Sequence, residues 1–411
     1  MNKKIQVSKS KILTYLVLIF SLTIVILSVI SLIFPSFFVS TFVGTSSDAN
    51  SFELGSWSGP FFIVNLSILV FSLLYYKKRV PSQIDSFFHF ILKFEVSRKV
   101  AIIVFSVMIG IYIIFSVGEL RLDEIDNWKD WKFLKPFIEE FPFGGEDKPA
   151  LRVQYVNNFL LFSSLHIFQN VKVIPFIASI SLVFLIYFFT SQITKKRFAG
   201  LVAVAIVLQS HTFLRYDTTA TFSNFWTSFY LLSLYLVNKK WPFSPLAYIG
   251  SIFSKALTMI FLPMSLFFIY RTNLAKKTKI LLSVSYLIIF FIILGSVVLS
   301  ETMGFGKTLS LPEFDDFVTG LTAWAFQLRI DGLILVFLLP LVIGLVIRSL
   351  QGLRVAESIL ILISGILLSA SILAGFTEFN IQPYRWIPLI AFFAIGVGVL
   401  LSKTSTNRSV E

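Results

Sequence analysis

Long apolar runs recur from one end of this chain to the other, and they restrict its fold more than any other feature. Most are long enough to cross about 30 Å of hydrocarbon as an α-helix. The 411 residues are 56% hydrophobic and 14% charged, whereas about a quarter of the residues in a soluble globular chain are charged. The chain is therefore predicted to be an all-α polytopic membrane protein with about twelve spans. We expect them near residues 11–34, 59–76, 100–118, 172–192, 198–214, 220–237, 243–254, 256–271, 279–299, 332–347, 355–375 and 386–402.

Charge sorting predicts how these spans are oriented. With a cytoplasmic N-terminus, the inner segments carry 23 of the 35 lysines and arginines but only four of the 22 acidic residues. Cytoplasmic loops accumulate lysine and arginine in this way. Both termini are therefore expected in the cytoplasm of a multi-pass cell-membrane protein, and loops 119–171 and 300–331 on the extracytoplasmic side. The net charge of +13 then reflects topology and an anionic inner leaflet, not nucleic-acid binding.

Three segments follow from this order of spans. Residues 1–99 form an N-terminal transmembrane hairpin with a cytoplasmic interfacial helix, because Ser82 to Val96 shows helical amphipathicity. Residues 100–271 form a core that includes the outer loop 119–171. Residues 272–411 supply the last spans and the second outer loop. The first run is longer than a signal-peptide core and lacks its cleavage pattern, so we expect it to be retained.

An acidic segment comes directly after the apolar run that ends at Val117. On a helix, Asp123, Asp126 and Asp130 would share one face. Such a face could accept a proton or hold a cation; alternatively, the carboxylates only cap a helix dipole and are solvated. We expect the nearby aromatic residues, Trp131 among them, to rest among lipid headgroups. The chain has no cysteine and three histidines, so a cysteine-ligated metal is excluded and a histidine-rich site is not expected.

The acidic pair Asp123-Glu124 opens the large outer loop. The loop closes with Lys148-Pro149-Ala150, and an apolar segment beginning Tyr155-Val156-Asn157 follows. This order resembles the type-C glycosyltransferase superfamily, whose large outer loop opens with Asp-Glu after a span and commonly closes with Lys-Pro-Pro. Its members include protein O-mannosyltransferases and the aminoarabinose transferase of lipid A, polytopic enzymes that take sugars from lipid-phosphate carriers.

Two further blocks extend the resemblance to about residues 100–270. One is the turn at 195–201, Lys-Lys-Arg-Phe-Ala-Gly-Leu, which leads through a span to Arg215-Tyr216-Asp217. The other is Ser254-Lys255-Ala256, followed by an apolar run to Pro263. The chain departs from the family pattern where the second proline and a glycine are missing. Asp217 also stands a few residues before the usual position of the second-loop acid.

The resemblance implies roles for these residues. Asp123 would be the base that takes the acceptor proton, and Glu124 and Asp217 would be further catalytic carboxylates. Lys148 and Lys255 would hold the carrier phosphate. The further substrate-binding candidates are Arg215, Asp126, Tyr155 and Arg385. Each cation also has a plain interpretation: Lys148 as a solvated lysine, Lys255 as a residue snorkelling to the interface, Arg215 as the partner of Asp217, and Arg385 as an anchor.

The predicted function is transfer of a sugar from a polyprenyl-phosphate carrier to a protein, lipid or glycan acceptor on the extracytoplasmic side. No metal or cofactor is required, although a divalent cation is compatible with it. A transporter of a lipid-linked or small solute is the alternative, but transporters place charge within spans more often than at span ends. A non-catalytic membrane subunit is the third possibility. The Trp-Trp-Asp-Tyr-Gly motif of oligosaccharyltransferases is absent.

Overall fold

All of the regular secondary structure in the described residues is helical. A computed structural model describes residues 2–38, 50–124, 129–141, 154–299, 314–376 and 382–402. Among these residues there are no strands, and the α-helices are α1 (Asn2–Ile33), α2 (Ser58–Tyr76), α3 (Ser82–Lys93), α4 (Arg98–Ser116), α5 (Lys129–Glu139), α6 (Tyr155–Phe168), α7 (Val173–Thr194), α8 (Arg197–Leu208), α9 (His211–Tyr216), α10 (Phe225–Lys239), α11 (Ser244–Ser254), α12 (Leu262–Arg271), α13 (Lys276–Leu299), α14 (Phe314–Gln327), α15 (Gly332–Leu350), α16 (Arg354–Phe376) and α17 (Ile387–Leu400). The all-α prediction is confirmed for the part of the chain that is described.

Eight of these helices are long and apolar enough to cross a membrane: α1, α2, α4, α7, α13, α15, α16 and α17. The expectation of twelve spans is therefore confirmed only in part. The four remaining apolar runs form the shorter helices α8, α10, α11 and α12. Polar residues interrupt two of these runs. Helix α8 ends at Leu208, shortly before Ser210, and α10 begins at Phe225.

The chain divides into two compact units. Unit 1 contains residues 1–101, 190–206 and 310–411, and unit 2 contains residues 102–189 and 207–309. Unit 1 thus combines parts of all three predicted segments, 1–99, 100–271 and 272–411. The assignment of separate roles to those segments stays a prediction.

In unit 1, helices α1 and α16 run parallel and share a ladder of polar contacts. The Thr14 hydroxyl donates to Glu357 Oε1 at 3.0 Å, and the hydroxyls of Ser21 and Ser364 lie 3.2 Å apart. The two pairs are separated by seven residues on each helix, which is two helical turns. In a bundle of apolar helices, such hydroxyl contacts let two helices approach closely and fix their register.

Other contacts in unit 1 set the directions of its remaining long helices. Helices α2 and α15 are parallel, because Trp57 Nε1 donates to the Arg329 carbonyl at 2.9 Å and Asn65 Nδ2 to the Val336 carbonyl at 3.1 Å. Helix α17 is buried at all but one position from residue 387 to 399, so it forms the centre of this unit. The relative directions agree with helices that cross a membrane alternately.

In unit 2, helices α10 and α11 pack antiparallel. Ser251 Oγ donates to the Trp226 carbonyl at 2.7 Å, and Ser244 Oγ to the Ser233 carbonyl at 2.8 Å. The stacked rings of Tyr248 and Tyr286, 4.5 Å apart, attach α13 to this pair. A non-helical segment, residues 217–224, leads into α10 and is buried except for Thr221.

Helices α5 and α6 belong to the predicted outer loop and cover this buried segment. Trp131, Leu134 and Ile138 of α5 form a buried cluster with Leu161 of α6, and Ala220 and Phe225 complete it. The expectation that Trp131 rests among headgroups is therefore wrong. Its ring is buried within the protein because α5 has α6 and residues 217–225 to pack against, whereas Phe133 of the same helix is exposed.

Candidate functional site

The acidic segment after α4 is not a continuous helix. A 3₁₀ turn, Val117–Arg121, ends α4, and Leu122 is extended with φ −82° and ψ 142°. Helix α5 is described from Lys129 onward. Asp123 and Asp130 therefore do not share one helical face, and Asp126 lies outside the described residues. The prediction of a single face with three carboxylates fails because the chain turns away from helical geometry at Leu122.

A buried lysine holds the backbone of this segment. Lys172, the residue before α7, directs its Nζ at the carbonyl oxygens of Glu119 and Asp123, at 3.4 and 3.3 Å. Asn170 Nδ2 donates to the Leu120 carbonyl at 2.7 Å. The backbone of residues 119–123 is thus attached to the start of α7.

Glu124 joins the segment to the buried residues after α9. Its carboxylate accepts hydrogen bonds from the amides of Ala220 and Thr221, at 3.2 and 3.1 Å, and from Thr221 Oγ1 at 2.9 Å. Lys172 Nζ lies 3.8 Å from Glu124 Oε2. Glu124 is only 7% exposed, so these partners replace the water that its charge would otherwise require.

Asp123 differs from Glu124 because its side chain is exposed. Among the described residues, no hydrogen bond or ion pair to its carboxylate is present, while its own carbonyl is held by Lys172. The residue follows the candidate span Arg98–Arg121 by two positions. It is thus an exposed residue whose backbone is held by Lys172, close to the end of a candidate span.

Asp217 is fully buried at the start of the segment 217–224. Ser116 Oγ donates to its Oδ2 at 2.7 Å, and Ser179 Oγ donates to its carbonyl at 2.7 Å. Asn224 Nδ2 in turn donates to Ser179 Oγ at 2.9 Å. Asp217 therefore contacts α4 through its carboxyl and α7 through its backbone carbonyl, and Ser179 links α7 onward to Asn224 at the entry to α10.

The pKa of Asp217 is raised from its ordinary value near 4 to about 7, mainly by burial and to a smaller extent by the negative charge of Glu119. The hydroxyls of Ser116 and Tyr112 oppose this shift. Asp217 lies outside the eight candidate spans. With such a pKa, its carboxyl gains and loses its proton near neutral pH. It cannot contact a substrate directly in this arrangement because it is fully covered.

The structure describes two of the cations predicted to bind phosphate, Lys255 and Arg215. Lys255 stands at the break between α11 and the 3₁₀ turn Ala256–Phe261, in extended backbone geometry. Its carbonyl accepts from Thr258 Oγ1 at 2.9 Å. Arg215 is exposed and lies over the ring of Tyr216, 6.0 Å from its centroid, and no ion pair joins it to Asp217 within the described chain.

Of the three other predicted residues, the structure describes Tyr155 and Arg385. Tyr155, the first residue of α6, is exposed, and its ring lies 5.0 Å from that of Phe141. Arg385 belongs to unit 1, and its Nε donates to the Tyr384 hydroxyl at 3.4 Å. Lys148 lies outside the described residues.

Sequence reasoning missed the residues that hold the segment together. They are Lys172, Ser116, Ser179 and Thr221. Lys172 had a usable signal, because a lysine on the side predicted to be acidic is an exception to charge sorting. The hydroxyl residues had none, since their partners lie some 40 to 100 positions away in sequence.

A metal site has no support from side-chain clustering. Within the residues that the structure covers, no three of His, Cys, Asp and Glu are grouped as metal ligands. Glu119 lies near Asp217, but its carboxylate accepts from Thr218 Oγ1 at 3.1 Å.

Comparison with known proteins gives no relative. No known protein family, curated protein or solved structure matches this chain.

Proposed function

We propose that this protein is a membrane glycosyltransferase that moves a sugar from a polyprenyl-phosphate carrier to an acceptor hydroxyl on the extracytoplasmic side. One observation carries the proposal. Asp123 presents an exposed carboxylate at the end of a candidate span, and the buried pair Lys172 and Glu124 holds its backbone in place. A base fixed beside a bilayer is suited to a reaction between a lipid-borne donor and an acceptor at the surface.

In the proposed reaction, Asp123 is the base. The acceptor hydroxyl gives its proton to the Asp123 carboxylate while its oxygen forms a bond to the anomeric carbon of the sugar. The bond between that carbon and the carrier phosphate breaks, and its electron pair leaves with the lipid phosphate. Negative charge develops on that phosphate, so nearby cations lower the barrier.

Lys148, Lys255 and Arg215 are the cations proposed for the phosphate. A charge-assisted contact to phosphate is stronger than a neutral hydrogen bond. We single out Lys255 because it lies where helical geometry is interrupted, between α11 and the 3₁₀ turn that follows. Asp126 and Tyr155 are proposed as outer contacts of the donor or the acceptor.

The two buried carboxylates receive positioning roles in this proposal. Glu124 fixes residues 220–221 to the acidic segment, and its charge is already matched by Lys172. Asp217 fixes Ser116 at the end of α4. Both would act on the reaction through the placement of Asp123.

A donor panel tests the function. The purified full-length protein is incubated in bilayers with polyprenyl-phosphate sugars that differ in sugar and carrier length, and released polyprenyl phosphate is measured. We expect release from at least one donor, with transfer to an added acceptor. Absence of release from every donor, in a preparation that remains folded, would remove the glycosyltransferase proposal.

Transport is the second candidate, and one contact favours it. Glu357 is buried in the first turn of the candidate span Arg354–Gly375 and accepts from the Thr14 hydroxyl of another candidate span. Carboxylates within spans are typical of proton and ion pathways. Movement of a labelled lipid-linked or small solute across sealed vesicles, without release of lipid phosphate, would support transport. The absence of both activities would favour a non-catalytic membrane subunit.

A further inference from the structure

Helix α3 leaves its large apolar side chains uncovered by protein. None of its twelve residues is buried. Phe87 is 57% exposed and Phe90 59% exposed, and Ile84 and Phe88 are also exposed. Ile84, Phe87, Phe88 and Ile91 recur at helical spacing, so they form one apolar face.

The chain on either side places α3 at a membrane boundary. Helix α2, ending at Tyr76, and helix α4, beginning at Arg98, are both candidate spans. The connection between them therefore emerges from the hydrocarbon and re-enters it on the same side. An amphipathic helix at such a boundary lies in the plane of the bilayer with its apolar face toward the acyl chains.

Contacts within unit 1 hold the C-terminal end of α3. The Lys196 ammonium donates to the Leu92 carbonyl. The Glu95 carboxylate accepts from the Arg197 amide at 3.0 Å, and the rings of Phe94 and Phe198 meet edge to face at 4.9 Å. The helix is therefore attached to the turn between α7 and α8, and its uncovered apolar face is a fixed feature of the fold.

Positive charge surrounds this helix. Segments 77–99 and 195–197 contain nine lysines and arginines but two acidic residues. Both acids already have partners: Asp85 lies 3.7 Å from His89, and Glu95 accepts the Arg197 amide. All of the cations except Lys196 are exposed. The nine cations are Lys77, Lys78, Arg79, Lys93, Arg98, Lys99, Lys195, Lys196 and Arg197.

We propose that α3 and these cations form a binding surface for anionic phospholipids. The apolar face of α3 enters the acyl region of one leaflet, and the exposed cations contact the phosphates of that leaflet. A soluble protein partner would also cover apolar side chains, but the span ends on both sides of α3 leave the bilayer as its immediate neighbour. The surplus of cations complements an anionic leaflet in particular.

Depth of insertion provides the first test. The chain has no cysteine, so single cysteines can be labelled with a fluorophore in the full-length protein in lipid vesicles. Phe87→Cys reports the apolar face, and Ser86→Cys, an exposed neighbour on the opposite side, is its matched control. We expect lipids with a spin label on the acyl chain to quench the Phe87 site several-fold more than the Ser86 site. Equal quenching, or quenching of both sites only by aqueous iodide, would overturn the proposal.

Lipid selectivity provides the second test. The full-length protein is reconstituted with equal amounts of phosphatidylglycerol and phosphatidylcholine, extracted gently, and its retained lipids are counted. We expect phosphatidylglycerol to be enriched, and Lys77→Gln/Lys78→Gln/Arg79→Gln to reduce that enrichment several-fold. Lys93→Gln/Lys99→Gln is a second variant with an expected reduction in the same direction.

The control for selectivity is Lys132→Gln/Lys135→Gln, which removes exposed lysines from α5. This variant should retain the enrichment of the wild-type protein. An equal fall in the control, or no enrichment in the wild-type protein, would overturn the assignment of the surface to anionic lipid. An unchanged enrichment in both α3-side variants would do the same.

Discussion

At the residue scale, the contact between Lys172 and Glu124 decides how the acidic segment is held. The side chains are 8% and 2% exposed, and the Nζ to Oε2 distance is 3.8 Å. Removal of one partner of a buried pair leaves a charge without compensation, which is more costly than loss of the pair as a whole. Glu124 retains three hydrogen bonds from residues 220–221, so its own environment is only partly lost with Lys172.

This predicts coupled effects on stability. We expect Lys172→Met to lower the free energy of unfolding by about 3 to 5 kcal/mol. Glu124→Gln should also destabilise, and the double variant should lose less than the sum of the two single losses. Denaturation in detergent micelles measures these values. Lys132→Met, at an exposed position on α5, should change the free energy by less than about 0.5 kcal/mol. Simple additivity of the two changes would show that Lys172 and Glu124 do not interact.

Asp217 predicts a pH dependence of stability. Its pKa of about 7 in the folded protein lies above its ordinary value near 4, so the folded state binds the proton more tightly than the unfolded state. The stabilisation that protonated Asp217 gives to the folded state is complete below pH 4 and is lost as the pH rises through 7. We therefore expect Asp217→Asn to reduce the fall in melting temperature between pH 5 and pH 8. The exposed Asp130→Asn variant should leave that fall unchanged. If Asp217→Asn has the same pH profile as the wild-type protein, the raised pKa of Asp217 is contradicted.

At the scale of elements, the close approach of α14 and α16 depends on a glycine. A Cβ at Gly320 would lie 2.5 Å from the Ser371 Cα and 2.9 Å from the Ala370 carbonyl oxygen. Both are backbone atoms, which cannot move aside as a flexible side chain can. Trp324 of α14 also donates to the Ser28 carbonyl of α1 at 2.8 Å, so α14 packs against two neighbours.

Gly320→Ala should therefore destabilise the protein. Alanine is favoured over glycine in a helix by about 1 kcal/mol, but the forced separation of the helices should cost about 1 to 3 kcal/mol. Gly110→Ala in α4 is the matched control, because no atom of a neighbouring element lies within 4 Å of the position that its Cβ would occupy. It should be neutral or slightly stabilising. Equal melting temperatures for the two variants would show that α14 and α16 do not approach as closely as described.

Sequence predicts the helical elements better than their lengths. Apolar runs locate every candidate span, because hydrocarbon thickness sets a minimum length that composition reveals directly. The predicted run 198–214 is not one continuous helix, because Ser210 caps a separate short helix by accepting the Phe213 amide at 3.1 Å. Such a cap is a local polar signal that an averaged hydropathy hides.

The candidate site is also predictable only in part, because some of its contacts depend on packing between segments that are far apart in the sequence. Asp123 is conspicuous in the sequence because acidic residues rarely follow an apolar run so directly. Glu124 is a catalytic candidate by resemblance, but its contacts with residues 220–221 depend on packing between segments almost 100 residues apart. Nothing in the local sequence distinguishes the exposed carboxylate from its buried neighbour.

At the scale of the whole molecule, charge sorting predicts opposite sides for two exposed positions. Asp130 on α5 is expected outside and Lys195, after α7, in the cytoplasm. Single cysteines at these positions in the cysteine-free chain should react oppositely with an impermeant maleimide applied to intact cells. Asp130→Cys should be labelled, and Lys195→Cys only after permeabilisation. Labelling of both from outside would invalidate the orientation and the extracytoplasmic site.

The effect of one substitution on sugar transfer tests whether Asp123 is the base. Asp123→Asn removes the proposed base while keeping the shape of the side chain, and Asp130→Asn is its exposed control. With a donor that the wild-type protein uses, we expect Asp123→Asn to lower turnover by at least about 100-fold. Melting temperature should be unchanged in both variants, and Asp130→Asn should transfer at the wild-type rate. Near wild-type turnover by folded Asp123→Asn would contradict the proposed role of Asp123 as the base in sugar transfer.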